Sequence, residues 1–155
     1  SVPSASAMAA TFLLRLSNMT GNPNYANAAE GTLVASSSLL ERAPTSMGQL
    51  LLAMDTYLGP IHEIVVLGDA TEGPTAATLA DLRQRYIPNR ILLCRAPDAA
   101  LEKMSPALAP IFEGKALLGD EPMVFVCQNF ECREPISGEA AARAMWERLA
   151  ELGHG

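Results

Sequence analysis

The chain has 155 residues, of which 49% are hydrophobic and 18% charged, a composition typical of one folded domain or of a small domain with an attached helical piece. A net charge of −6 with 11 lysines and arginines argues against nucleic acid and anionic membranes as partners, because phosphate contacts need a clustered basic surface. The apolar runs are far shorter than the roughly 20 residues of a membrane span, and the first residues do not have a signal-peptide pattern, so we expect a cytoplasmic protein.

The first 59 residues carry apolar side chains at helical spacing in three successive stretches. The first stretch covers residues 7–16. Gly21, Asn22 and Pro23 then end that helix and begin the next, as a C-terminal break, an N-cap and a first helical residue. A third stretch ends before a Gly-Pro pair. We therefore predict a helical segment over residues 1–59.

From residue 60 onward the pattern changes to short β-branched runs that alternate with helical stretches. Three runs are typical of buried strands, at 63–67, 90–94 and 123–127. The helix between the last two is expected to begin at an Asp98 cap and to be interrupted by Pro106. This alternation favours an α/β fold, in which residues 60–155 form a small three-stranded parallel sheet with flanking helices.

The carboxyl ends of the predicted strands carry the polar residues of most interest. In an open parallel sheet, ligands bind beyond these ends. Asp69 follows the first strand, and Cys127, Gln128 and Asn129 follow the third, with Cys132 in the next loop. If the strands are neighbours, these side chains converge on one edge, which we take as a candidate ligand or thiol site. No catalytic set is assigned.

The three cysteines are an odd number, and in a cytoplasmic protein we expect them to be reduced and buried. Cys127 and Cys132 are too far apart in sequence for a Cys-x-x-Cys redox turn. Even with Cys94 they supply fewer ligands than a structural zinc site needs. A disulfide between Cys127 and Cys132 is geometrically open if the loop turns back, but the expected compartment argues against a permanent one.

The loop after the third strand has two further interpretations. Cys132 lies beside Arg133, whose charge favours a reactive thiolate. Alternatively, the amides of Gln128 and Asn129 only hold the loop in place through hydrogen bonds. The turn at Asp69 has no glycine-rich phosphate motif, so nucleotide binding has little support. We predict neither a metal nor a cofactor.

The run from Val126 to Pro135, Val-Cys-Gln-Asn-Phe-Glu-Cys-Arg-Glu-Pro, resembles the signature Val-Cys-x-Asn-x-x-Cys-x-x-Pro of the long spermatogenesis-associated thioredoxin-like proteins of bacteria and eukaryotes. Other stretches agree with that family in order and spacing, among them Thr20 to Tyr25, Ala43 to Leu51 and Gly59 to Val65. The resemblance extends over nearly the whole chain.

This resemblance implies a longer parent protein, in which a thioredoxin-like domain is joined to an (α/α) toroid of six hairpins similar to that of N-acylglucosamine 2-epimerases. Residues 1–59 would then be the end of the toroid, and residues 60–155 a C-terminal α/β domain. The remainder of the parent chain is the implied partner.

Three functions are compatible with this sequence and its family resemblance. The first is a non-catalytic structural or interaction domain of the parent protein. The second is part of a carbohydrate-active enzyme of the epimerase or glycosidase type, with a sugar or another small molecule as ligand. The third is a thiol redox or metal site at the loop of Cys127 and Cys132. We expect the chain by itself not to be catalytic.

Overall fold

The computed structural model describes residues 4–97 and 104–152, and its chain divides into two compact units, Ser1–Ile61 and His62–Gly155. The predicted cap at Asp98 lies outside the described residues. Along the part of the chain that is described, no helix is long and apolar enough to cross a membrane.

The first unit is helical, as the sequence predicts. Its helices are α1 (Ala5–Thr20), α2 (Pro23–Ala35), α3 (Ser37–Arg42) and α4 (Gly48–Leu58). The predicted boundary between α1 and α2 is confirmed. Gly21 ends α1 with φ 69°, and the Asn22 side chain accepts a hydrogen bond from the backbone N–H of Asn24 at the start of α2. The second predicted helix is divided at Ser36 into α2 and α3.

Small side chains let the helices of the first unit approach closely. Three fully or almost fully buried alanines, Ala10, Ala29 and Ala53, lie where α1, α2 and α4 pack together. Leu14 and Leu50 fill the space beside them. This core is narrow, because alanine buries little apolar area compared with leucine or phenylalanine.

The second unit has a sheet flanked by helices. Its elements are β1 (His62–Leu67), α5 (Gly73–Arg83), β2 (Arg90–Arg95), α6 (Ala109–Phe112), β3 (Met123–Gln128), β4 (Glu131–Cys132), β5 (Ile136–Ser137) and α7 (Glu139–Leu152). The strand order is β2-β1-β3-β4, and β5 also pairs with β3. The α/β class and the three main strands are thus confirmed.

The prediction of an all-parallel sheet is wrong. β1 and β2 are parallel, but β3 is antiparallel to β1, with Leu67 opposite Met123 and Glu63 opposite Cys127. Residues 95 and 123 therefore lie at the same end of the strands, both opposite Leu67. The chain between them does not have to return along the length of the sheet. Prolines at several points of this stretch oppose the continuous helix that a parallel crossover needs.

Alternation along β1 divides its side chains between two faces. Ile64 and Val66 point to one face, where helices α5 and α7 cover them and Trp146 is fully buried. Glu63 and Val65 therefore point to the opposite face. The short helix α6 and the residues after it contribute to that second face, as the contact of Lys115 with Phe125 of β3 shows.

Gly68 permits the tight connection that leaves β1 toward α5. Its φ is +147°, and a Cβ atom at this position would overlap the Thr75 side-chain oxygen. We expect Gly68→Ala to lower the free energy of unfolding by about 3 kcal/mol, through overpacking and backbone strain together. Urea unfolding followed by circular dichroism measures this loss.

Gly119→Ala is the matched control for Gly68→Ala. Gly119 also has a positive φ, +84°, but an added Cβ meets no atom within 4 Å. We expect this control to cost only about 1 kcal/mol, since it isolates the conformational penalty. Equal losses at the two positions would contradict a steric role for Thr75.

Candidate functional site

One row of side chains crosses the second face of the sheet and brings the main functional groups together. Strand pairing places Ile91, Glu63, Cys127 and Cys132 opposite one another on β2, β1, β3 and β4. Directly paired residues in neighbouring strands point to the same face. A carboxyl group and two cysteines are therefore adjacent on this row.

A two-residue turn joins β3 to β4 and sets the position of the cysteines. Asn129 and Phe130 have φ values of 52° and 64°, the pattern of a type I′ hairpin turn. This turn pairs Gln128 with Glu131, and it pairs Cys127 with Cys132. The Cα atoms of the two cysteines are 3.9 Å apart.

The two sulfur atoms of this pair form a disulfide bond. The expectation that all three cysteines are reduced thiols is therefore wrong for Cys127 and Cys132. The hairpin turn is the physical reason, because it places the two residues directly opposite each other. Cys127 is 2% exposed, whereas Cys132 is exposed, so the bond joins a buried sulfur atom to an accessible residue.

The carboxyl group of Glu63 lies beneath the hairpin turn. Its side chain is fully buried, with 1% exposure. Oε2 accepts a hydrogen bond of 3.0 Å from the backbone N–H of Phe130, whereas Oε1 is buried without a hydrogen-bond partner among the described residues. Burial raises the pKa of Glu63 above its usual value, and the Phe130 N–H, the charge of Lys115 and the Asn129 N–H oppose that rise.

Lys115 brings a positive charge to the same face. Its ammonium nitrogen lies 5.9 Å from the centre of the Phe125 ring, within the range of a cation–π contact. Burial lowers the pKa of Lys115, and the negative charge of Glu63 partly offsets this. The lysine and the glutamate thus reduce each other's cost of burial.

A cavity of about 450 Å³ opens beside the disulfide. It is lined by Pro110, Glu113, Gly114, Lys115, Phe125, Phe130, Cys132, Arg133 and Pro135. Cys132 is in this lining, whereas Cys127 is not. A small molecule or an extended peptide in the cavity would therefore meet the accessible cysteine first.

His62 and Gln128 lie on the other face of the sheet. The Gln128 side-chain amide lies 3.2 Å from His62 Nδ1 and donates to it when the ring proton is on Nε2. Burial and, to a smaller extent, the charge of Arg133 lower the pKa of His62. Gln128 thus anchors the hairpin to β1, in agreement with the structural interpretation of its amide, while Asn129 supplies one of the two positive φ values of the turn.

The predicted convergence of Asp69 with the cysteine loop is wrong. Since β3 is antiparallel to β1, Asp69 follows the end of β1 that lies opposite Met123, and Cys127 lies at the other end. Asp69 is exposed and accepts hydrogen bonds from the backbone N–H and the hydroxyl of Thr71. These bonds lower its pKa and form a local turn.

Cys94 does not join the other two cysteines. Its side chain points to the face covered by α5 and α7, and the thiol lies 3.7 Å from the carbonyl oxygen of Gly68. Burial raises the pKa of this thiol. Within residues 4–97 and 104–152, no three histidine, cysteine, aspartate or glutamate side chains form a group that could hold a metal ion. The disulfide also removes Cys127 and Cys132 as thiolate ligands, so the metal alternative at this loop is not supported.

Sequence reasoning missed Glu63 and Lys115 as members of the site. One signal was available for Glu63, because a charged residue inside an apolar strand run is expensive to bury and usually has a specific partner. No comparable signal marks Lys115, which follows a short helix and meets Glu63 only through tertiary packing.

Comparison with known proteins identifies relatives of this chain. It is 28% identical over 145 residues to human spermatogenesis-associated protein 20, and 27% and 26% identical to the rat and mouse proteins of the same name. An uncharacterised protein of Caenorhabditis elegans is 22% identical over 134 residues. The mammalian matches cover 92% of this chain but only 18% of each relative, so the chain spans about a fifth of their length.

These matches confirm the family resemblance predicted from the sequence. No protein-family model and no solved structure matches the chain.

The raised pKa of Glu63 predicts a pH-dependent stability. The folded protein holds this proton to a higher pH than the unfolded chain, whose carboxyl group titrates near the usual 4.5. The stabilising contribution is therefore fully present below pH 4.5, and it is lost as the pH rises through the folded-state pKa. We expect the free energy of unfolding of Glu63→Gln, measured in urea, to lack this pH dependence between pH 4.5 and the folded-state pKa of Glu63.

His62→Gln is the control for this experiment, since its effect has the opposite sign. The lowered pKa of His62 gives a contribution that is present above pH 6.5 and is lost as the pH falls through the folded-state value. A difference between wild type and Glu63→Gln that does not change with pH would contradict a carboxyl group whose pKa is raised by burial.

Proposed function

We propose that this chain, a C-terminal region of the spermatogenesis-associated protein 20 family, is a non-catalytic structural or interaction domain of a longer protein. Its partner is the remainder of the parent chain. In this proposal residues 1–59 are the end of a helical toroid, and residues 60–155 are an α/β domain that completes the parent protein in the cytoplasm.

Exposed apolar side chains on the helices of the first unit carry this proposal. Phe12 is 65% exposed and Leu58 is 71% exposed, and Leu52 is similarly open. Large apolar side chains on several helices of so small a unit usually mark a surface that another protein segment covers. The relatives are about five times longer than the region that this chain matches, so they contain enough additional chain to supply that cover.

Substitution of Phe12 tests whether another part of the parent protein covers the exposed apolar surface of the first unit. We expect Phe12→Ser to change the stability of the isolated chain by less than about 0.5 kcal/mol, because this side chain is already mostly in water. In the full-length parent protein we expect a loss of about 2 kcal/mol, the value of a buried aromatic side chain. Thermal and urea unfolding of both proteins provide the measurement.

Asn27→Ser is the control for this prediction, since Asn27 is exposed on α2 but polar. It should be neutral in both proteins. If Phe12→Ser is also neutral in the full-length parent, the remainder of the chain does not cover this part of the first unit. Turnover of a sugar by the isolated chain would contradict the non-catalytic assignment.

A second candidate function is thiol–disulfide exchange at Cys127 and Cys132. The observation that favours it is the bond between a buried sulfur atom and an exposed cysteine at the edge of a cavity. In a cytosolic protein, a disulfide is usually transient and catalytic or redox-sensing. The carbohydrate-active alternative has only the family resemblance in its favour.

Thiol chemistry tests this second candidate. The unfolded, unreduced chain should contain one free thiol, that of Cys94, and three after reduction. Each single variant leaves one of the two cysteines as a free thiol. In native protein, the exposed Cys132 that remains in Cys127→Ser should react with N-ethylmaleimide at least about 100-fold faster than the buried Cys127 that remains in Cys132→Ser, since reactivity follows exposure. Equal rates, or three free thiols in the unreduced chain, would count against exchange at this site.

A further inference from the structure

The neighbours of Cys127 differ on its two sides within the sheet. Cys132 lies opposite it on β4, and Glu63 lies opposite it on β1. Side chains that pair directly across antiparallel strands have Cβ atoms about 5 Å apart. The carboxyl group of Glu63 is thus the nearest acidic neighbour that the strand register gives to the Cys127 sulfur atom.

Glu63 uses one oxygen atom in a well-formed hydrogen bond, while the Asn129 N–H interacts with the carboxyl group only weakly. Oε2 is used by the turn, where it accepts the Phe130 N–H. Oε1 is buried and has no hydrogen-bond partner among the described residues. An unpartnered oxygen atom on a 1% exposed carboxyl group is costly unless it carries a proton or meets another donor.

The exposure of the two cysteines determines the direction of attack on the disulfide. An incoming thiolate must reach a sulfur atom in line with the bond that breaks. Cys132 lines the cavity and is exposed, whereas Cys127 is buried beside Glu63. Attack therefore falls on Cys132, and the Cys127 sulfur atom is the leaving group.

We propose that Glu63 is the acid–base group of a thiol–disulfide exchange site, which donates a proton to Cys127 when a thiol attacks Cys132. This inference rests on the second candidate function, exchange at the Cys127–Cys132 disulfide. The substrates are thiols and disulfides that reach the cavity, either small molecules or extended peptide segments. The role of Glu63 goes beyond holding the hairpin turn.

The exchange step balances in atoms and electrons. The substrate thiolate forms a bond to Cys132 Sγ, and the bond between Cys132 and Cys127 breaks with its electron pair on Cys127 Sγ. The Glu63 carboxyl group transfers its proton to that sulfur atom and becomes a carboxylate. A second substrate thiolate then attacks the substrate sulfur atom of the mixed disulfide, which releases a substrate disulfide and the Cys132 thiolate.

In sum, two substrate thiolates are oxidised to one disulfide, and the protein disulfide is reduced to a Cys127 thiol and a Cys132 thiolate. The two protons that the substrate thiols lost to solvent return to the Cys132 thiolate and the Glu63 carboxylate. In the reverse direction, the Cys132 thiolate attacks a substrate disulfide, which forms the mixed disulfide and releases one substrate thiolate. The Glu63 carboxylate then accepts the proton of Cys127, whose sulfur atom attacks Cys132 Sγ and releases the second substrate thiolate.

Lys115 is the charged side chain whose electrostatic effect reaches the Glu63 carboxyl group. The other charged groups nearby are Glu113 and Arg133 in the cavity lining, Arg95 on β2, whose guanidinium donates to the Lys115 carbonyl, and His62 on the other face of β1. Lys115 stabilises the carboxylate, whereas burial stabilises the protonated acid, and burial has the larger effect. Glu63 is thereby adapted to gain and lose a proton during exchange.

The experiment measures reduction of the oxidised 155-residue chain by 2-mercaptoethanol as a function of pH. Samples are quenched with acid, alkylated and analysed by mass spectrometry. Rates are divided by those of a small model disulfide, which removes the pH dependence of the attacking thiolate. For wild type we expect the corrected rate to fall as the pH rises through the folded-state pKa of Glu63.

Glu63→Gln keeps an oxygen atom to accept the Phe130 N–H but cannot donate a carboxyl proton. We expect its corrected rate to be independent of pH, and about 100-fold lower than wild type at low pH, the lower range for a lost general acid. Glu151→Gln is the control, since it removes an exposed carboxyl group on α7 that does not line the cavity. It should retain the wild-type pH profile.

Two results distinguish a failure of the proposed role of Glu63 from a failure of disulfide exchange itself. If Glu63→Gln keeps the wild-type profile, Glu63 only holds the turn and the inference is overturned, while exchange at the disulfide stands. If 2-mercaptoethanol does not reduce the native disulfide at any pH, the second candidate function itself fails.

A measurement on wild type covers the case in which Glu63→Gln does not fold. Carbon-13 NMR of the glutamate carboxyl groups gives the pKa of Glu63 in the oxidised and the reduced protein. Since the proton is shared with Cys127 only after reduction, we expect the two pKa values to differ. Identical values would overturn the proposal.

Discussion

The hydrogen bond from the Phe130 backbone N–H to the Glu63 carboxyl group is the contact around which the second unit is organised. Phe130 occupies a left-handed backbone conformation that a bulky side chain rarely adopts. A buried acceptor that satisfies its N–H helps to hold this conformation. The same hydrogen bond brings a carboxyl group beneath the turn that joins the two disulfide-bonded cysteines.

Several features of the site follow from this contact. The type I′ turn requires two residues with positive φ, and it places Cys127 opposite Cys132. The carboxyl group that supports the turn is buried, so its proton is held more tightly than in water. Lys115 moderates that burial through its positive charge. A structural support for the hairpin and a proton donor beside a disulfide are thus the same side chain.

The two units have different kinds of core. The first unit packs small alanine side chains between helices and leaves several large apolar side chains in water. The second unit buries Trp146 and a layer of aliphatic side chains between its sheet and two helices. The narrow core of the first unit buries less apolar area than the filled aromatic and aliphatic core of the second unit.

Local patterns in the sequence were sufficient to predict the helical first segment, the boundary at Asn22 and Pro23, the three main strands and the resemblance to spermatogenesis-associated proteins. These features depend on side-chain periodicity and capping, which act over a few residues. The direction of β3, the disulfide and the pairing of Glu63 with Phe130 were decided by tertiary structure. Strand direction depends on where the chain between Arg95 and Met123 returns to the sheet, and periodicity does not encode that path. The site at Cys127 therefore includes a residue that lies 64 positions earlier in the chain, because strand register brings the two together.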